Sequence, residues 1–140
     1  MRDRVRLFLL LFVWIDCYAF DQVVHMNNRG TGTYYITSVI DSHEVSLLLD
    51  TGASYTVLDK SIVSRMNLKP VRKMDALTAD GRRMHVTVYV LPSMTIEGCT
   101  IYDIEIVTMS NAINILGMTS IKKMTPLTLL GHDDVKFNCH

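Results

Sequence analysis

The chain has 140 residues, 14 Lys+Arg against 14 Asp+Glu, and an apolar fraction of 49%. These are globular proportions rather than those of a disordered chain, and the length suits one core, not a large two-lobed enzyme. The balanced charge also argues against nucleic acid as the main partner, because phosphate neutralisation needs clustered Lys and Arg.

Arg2, Arg4 and Arg6 precede an unbroken apolar run from Leu7 to Ile15. A membrane-crossing helix needs about 20 apolar residues, so this run is too short to span unaided. A basic start, a short apolar centre, and Cys17 and Ala19 ahead of a cut after Ala19 describe a secretory signal peptide over residues 1–19. An uncleaved anchor, attached to a membrane through residues 7–15, and a buried strand are the other readings. Export by either route predicts a periplasmic, secreted or membrane-anchored protein. Cys17 would leave with the signal, and Cys99 and Cys139 could then pair in an oxidising compartment or stay reduced.

Beyond Ala19 the chain reads as mostly β. Residues 20–32, with the polar stretch from Asn27 to Gly32, are expected as a flexible lead-in to a folded domain over 33–140. Thr33–Ile40 and His43–Leu49 are β-branched and aromatic-rich runs joined at Asp41-Ser42, a hairpin signal. The second run closes on Leu47-Leu48-Leu49, as a strand buried on both faces does. Asp59 can cap a short helix through Met66, which must stop before Pro70.

A hairpin follows, with Met74–Ala79 leading into a tight turn at Asp80-Gly81. Its return strand alternates, with Met84, Val86, Val88 and Val90 on one face and His85, Thr87 and Tyr89 on the other. Pro92 is expected to end it. Short strands are then predicted at Met94–Ile96 and Cys99–Val107, an apolar stretch at Ile113–Met118, and a helical turn over Thr119–Met124. Thr128–Leu130 and Val135–Phe137 should pair across Gly131–Asp134. Many short strands with one or two short helices predict an all-β fold, a small closed barrel.

One motif stands above this background: Leu47-Leu48-Leu49-Asp50-Thr51-Gly52-Ala53-Ser54. A desolvated carboxylate directly after an apolar strand is costly unless its surroundings support it. The Gly lets backbone pass close to that carboxylate. The alternative is a buried structural Asp in a turn.

Residues 33–137 resemble the retropepsin-like aspartic proteases, particularly single-domain bacterial members with an N-terminal export segment. Ile115-Leu116-Gly117 looks like that family's apolar-apolar-Gly element, and Thr78-Ala79-Asp80-Gly81-Arg82 is similar to the hairpin tip that covers substrate. The resemblance implies a six- to seven-stranded barrel, peptide-bond hydrolysis and a homodimer. It makes Asp50 catalytic, Thr51 and Gly52 its supporting loop, and Ala53, Ala79, Asp80 and Gly81 substrate-binding. The retroviral members carry an acidic residue after the motif's Ala and an Arg after the later Gly, where this chain has Ser54 and Met118. Both halves of that ion pair are missing together, which fits the bacterial branch.

Aspartic peptidase chemistry needs two carboxylates about 3 Å apart sharing one proton. The chain holds one Asp-Thr-Gly, so two chains must each supply Asp50. Asp80, Asp103, Asp133 and Asp134 sit in no Thr-Gly or Ser-Gly context.

No cofactor or metal is expected: His25, His43, His85, His132 and His140 are scattered, with no His-Glu-x-x-His or Cys/His cluster. Gly-x-Ser-x-Gly, a phosphate loop and a dinucleotide fingerprint are also missing. The expected partner is a peptide or protein substrate. A catalytically silent peptide-binding or scaffold module on the same fold remains the other functional reading. A small disulfide-linked envelope protein with no site of its own is a third.

Overall fold

The computed structural model describes residues 20–28, 32–131 and 133–139. The basic start, the apolar run 7–15 and the cut after Ala19 lie outside the described residues, as do 29–31, His132 and His140. Among the described residues, eleven strands and two short helices succeed one another. They are β1 Phe20–His25, β2 Asn27–Asn28, β3 Tyr34–Ile40, β4 His43–Leu49, β5 Thr56–Asp59 and α1 Lys60–Ser64. Then come β6 Pro70–Leu77, β7 Arg83–Ile96, β8 Cys99–Met109 and β9 Ile115–Leu116. The chain closes with α2 Met118–Ile121, a 3-10 turn Lys122–Met124, β10 Leu127–Leu130 and β11 Asp134–Cys139.

Eight strands form one sheet in the order β2-β3-β4-β9-β5-β8-β7-β6. A single further pairing, Val39 with Thr95, joins β3 to β7 and closes six of them into a ring. The expected small all-β barrel is therefore present, with β6 left as a free edge. Closure buries Ile36, Leu47, Leu58, Leu91, Ile96, Ile104, Ile106 and Leu116 in one core.

The β3–β4 hairpin turns at Asp41 and Ser42, both at positive φ (48° and 63°). That is the turn type whose twist matches paired strands. Asp59 caps α1 by accepting from the Ser61 N–H, as its position before the helix predicts.

Pro92 does not end its strand. β7 runs on to Ile96 in unbroken register with β8, skipping only the Pro92–Asp103 position. Proline has no N–H to offer there, and Asp103 opposite takes a positive φ of 51°. Both strands change faces at this point. Leu91 and Ile104 are buried before it, Met94 and Ile101 after it, and Pro92, Tyr102 and Asp103 face solvent. The proline thus bends a continuous hairpin so that both halves feed one core.

Residues 20–28 of the stretch expected as a lead-in take part in the fold. β1 pairs with β11, and β10 pairs with β11 on the other side, forming a three-stranded sheet. β2 joins the edge of the barrel sheet, and Met26 between the two strands is buried. Cys99 and Cys139 form a disulfide with Cα atoms 5.6 Å apart, tying this sheet to the start of β8.

Candidate active site

Asp50 stands where β4 leaves the barrel. Parallel pairing of β4 with β9 sets Leu48 against Ile115 and Leu49 against Leu116, and the ladder continues with Asp50 N donating to Leu116 O (3.2 Å). The loop then folds on itself, Ala53 N donating to Asp50 O (3.3 Å) and Met118 N to Ala53 O (2.8 Å). Residues 50–53 are thereby clamped at both ends by the segment 116–118. This is why an apolar triplet precedes the carboxylate: Leu47 anchors the strand in the core, and the last strand residues deliver Asp50 to a half-buried position.

Gly52 N donates to Asp50 Oδ1 at 2.8 Å, which orients the carboxylate. A Cβ on Gly52 would lie 3.1 Å from that same oxygen, so the loop takes this shape most easily with glycine. Thr51 is exposed beside Asp50, and its hydroxyl meets no partner among the described residues.

Beneath the loop, Gly117 is pressed against backbone. A Cβ there would come within 2.2 Å of Tyr55 O and 2.9 Å of Ala53 O. A buried polar cluster holds this contact. Gly117 N donates to Thr56 Oγ1 (3.1 Å), Thr56 Oγ1 and Ser120 Oγ share a hydrogen bond of 2.6 Å, and Thr56 N donates to Thr119 Oγ1 (2.9 Å). Thr56 and Ser120 are fully buried, so these partners replace the water they lack.

A cleft of about 700 Å³ opens above Asp50. Its floor is a second, smaller apolar cluster built on Val57, Val86, Val88 and Val107. One side is β6 and the tip that follows it, which contribute the consecutive residues Met74 to Ala79. The tip is a five-residue loop, wider than the two-residue turn expected, with Gly81 at φ 82°. Thr78 N donates to Arg82 O, the Thr78 hydroxyl bonds Asp80, and Arg82 pairs with Asp80 (Nε–Oδ2 2.6 Å). The Thr78 hydroxyl and the Arg82 guanidinium together hold the Asp80 carboxyl below its usual range.

Of the residues the resemblance assigned to substrate, Ala53 and Ala79 line the cleft with Asp50 and Gly52. Asp80 and Gly81 sit at the exposed tip outside its lining. Residues not singled out beforehand also line it, among them Tyr55 and Asp75. The Asp75 carboxylate contacts His85 Nδ1 on the opposite arm of the hairpin. Tyr55 depends on a parallel pairing of β5 with β8 that no local signal announces.

A family model described as aspartyl protease matches residues 36–120, more than half of the chain. Among solved structures, the chain is similar to a retropepsin-like aspartic protease from Rickettsia conorii. The TM-score is 0.65 at 22% identity, over 86% of this chain and 92% of that one. That likeness speaks for the fold. Comparison with the curated proteins gives no match. The clamped Asp-Thr-Gly loop, the closed barrel and the family match agree, and the chain belongs to the aspartyl protease family, with the all-β fold of its retropepsin-like members.

Proposed function

We propose that this protein is an aspartic endopeptidase that works as a symmetric homodimer, each protomer giving Asp50 to one shared pair of carboxylates. The observation that carries the reading is the position of Asp50. It lies at the base of an open cleft, fixed by Gly52 N and by the β4–β9 ladder.

Two such carboxylates brought to about 3 Å share one proton, because like charges that close cannot both ionise. The ionised member removes a proton from a water held between them as the water attacks the peptide carbonyl. The protonated member donates to the carbonyl oxygen. The two apparent pKa values belong to the pair. Thr51, exposed next to Asp50, is placed to bond a second copy of the loop and fix the distance between the two acids.

Substrate fits as an extended chain. β6 is the edge of its sheet, and it and the tip after it line the cleft from Met74 to Ala79, so the unpaired backbone groups of β6 can take up a peptide strand. Export through residues 1–19 agrees with the Cys99–Cys139 disulfide, since oxidising compartments are where such bonds persist.

The test is peptide cleavage at mildly acidic pH by wild type and Asp50→Asn. The variant should lose activity by about 10²–10⁴-fold, the scale of general acid–base catalysis. Undiminished cleavage contradicts the proposal.

A further inference from the structure

Beside the cleft, and touching its lining residue Tyr55, lies a charged tie that bond hydrolysis does not itself use. Thr56 pairs in parallel with Ile106, so one residue earlier on each strand Tyr55 lies beside Glu105. Arg72 on β6 is paired with Val88, on the same side of the sheet as the pairs Met74–Val86 and Ala76–Met84 that face the cleft floor. From there it reaches across β7 to Glu105, Nη1 to Oε1 at 2.5 Å and Nη2 to Oε2 at 2.8 Å. Nη2 also donates to the Tyr55 hydroxyl at 3.1 Å. A planar guanidinium held by both oxygens of a carboxylate has little freedom left, so it fixes the phenol in turn.

The consequence lies in the unused proton. The Tyr55 oxygen accepts from Arg72, and no described residue accepts the proton it carries. The ring packs on the apolar floor, and Tyr55 lines the cleft beside Val57, Met74, Met84, Met109 and Ile115. The Tyr55 ring thus lines the cleft while its hydroxyl is held beside it, at the exposed Arg72–Glu105 pair. An oriented donor at the margin of the cleft favours a ligand that offers it an acceptor. Arg72 is already paired with Glu105, so this side of the cleft offers no free cation to a carboxylate, and a neutral acceptor suits the Tyr55 hydroxyl better.

We propose that Tyr55, positioned by Arg72 and Glu105, is a specificity-determining residue that donates a hydrogen bond to a carboxamide side chain, Gln or Asn, of the substrate near the scissile bond. This rests on the peptidase reading above. The test uses matched peptides carrying Gln, Glu or Leu at each position flanking the cleaved bond in turn. Wild type should favour Gln over Leu at one position by about two- to tenfold in kcat/KM, the worth of one neutral hydrogen bond. Gln should also exceed Glu there. Tyr55→Phe, which keeps the ring, should bring the Gln/Leu ratio to about one. Arg72→Met should lower it, and Arg72→Lys should not restore it, since Lys lacks the planar fork.

Each ratio compares two peptides on one protein, so it is insensitive to the fraction of a variant that is folded. A merely structural tie would change the melting temperature and leave the ratio alone. A ratio unmoved by Tyr55→Phe, or a wild type without the preference, overturns the inference while leaving Asp50-dependent cleavage intact. Absence of cleavage by wild type, or cleavage that survives Asp50→Asn, overturns the peptidase reading and this inference with it.

Discussion

Gly117 carries no side chain because none fits: a Cβ would sit 2.2 Å from the Tyr55 carbonyl oxygen and 2.4 Å from its carbon. The obstacle is backbone, which cannot swing aside as a side-chain tip does. Gly117→Ala should therefore push the Asp50 loop outward, costing about 1–3 kcal/mol as overpacking does, and, on the proposed function, depress cleavage. Denaturant titration alongside an activity assay checks this, and an unchanged midpoint contradicts it. Thr56→Val is a gentler probe of the same floor. It keeps the shape but strands the Gly117 N–H and the Ser120 hydroxyl in a dry interior, and should cost about 1–3 kcal/mol. A variant as stable as wild type would show that the polar cluster does not hold the loop. At this scale Asp50, Thr51 and Gly52 were legible because the motif is contiguous. The Thr56–Ser120 pair was not, since its members are 64 residues apart and meet only when β5 and α2 pack.

Among the elements, the hairpins were the most readable, because turn residues and alternation are local. Asp41-Ser42 joins its strands where expected, and Val86 and Val88 face one side together. Pro92 misled for a physical reason. A proline breaks a strand only where its N–H is required, and here the register skips its position and the chain bends instead. The cap of α1 offers a pH test. Hydrogen bonds from the Ser61 hydroxyl and N–H, then from Ala112 N–H, hold the Asp59 carboxyl below its ordinary 3.8. A carboxylate with a depressed folded pKa adds stability above its unfolded pKa and loses it as pH falls through the folded one. Asp59→Ala should thus lower the melting temperature at neutral and mildly acidic pH, with the gap to wild type closing well below pH 3.8. A gap that stays constant to pH 2 contradicts the charged cap. Glu105, lowered by Arg72, follows the same sign, so the tie on Tyr55 persists at mildly acidic pH.

For the whole molecule, two long-range connections matter most, and neither is written locally. The ring closes through one residue pair, Val39 with Thr95, and two of its pairings, β4–β9 and β5–β8, are parallel. Parallel neighbours come from distant stretches of chain, so hairpin signals cannot find them. The other connection is the disulfide, whose pairing the sequence left open. Cys99 and Cys139 are 40 residues apart, and closing a loop of that length is worth about 4 kcal/mol on the chain-entropy account. Cys139→Ser should lower stability by that order, and reductant should bring wild type to the same level. Equal stability with and without reductant contradicts a bonded pair in solution.

The sequence holds one Asp-Thr-Gly, and in the proposed mechanism a second chain supplies the other carboxylate. Mixing tests this most directly. With wild type held constant and Asp50→Asn added, chains that exchange partners fill with mixed pairs holding one ionisable Asp50. Cleavage should fall to about half at equal amounts, as random pairing in a symmetric dimer requires, and further as the variant is raised. Cleavage that stays constant at every ratio, with exchange verified by sedimentation, contradicts an active site shared between two chains.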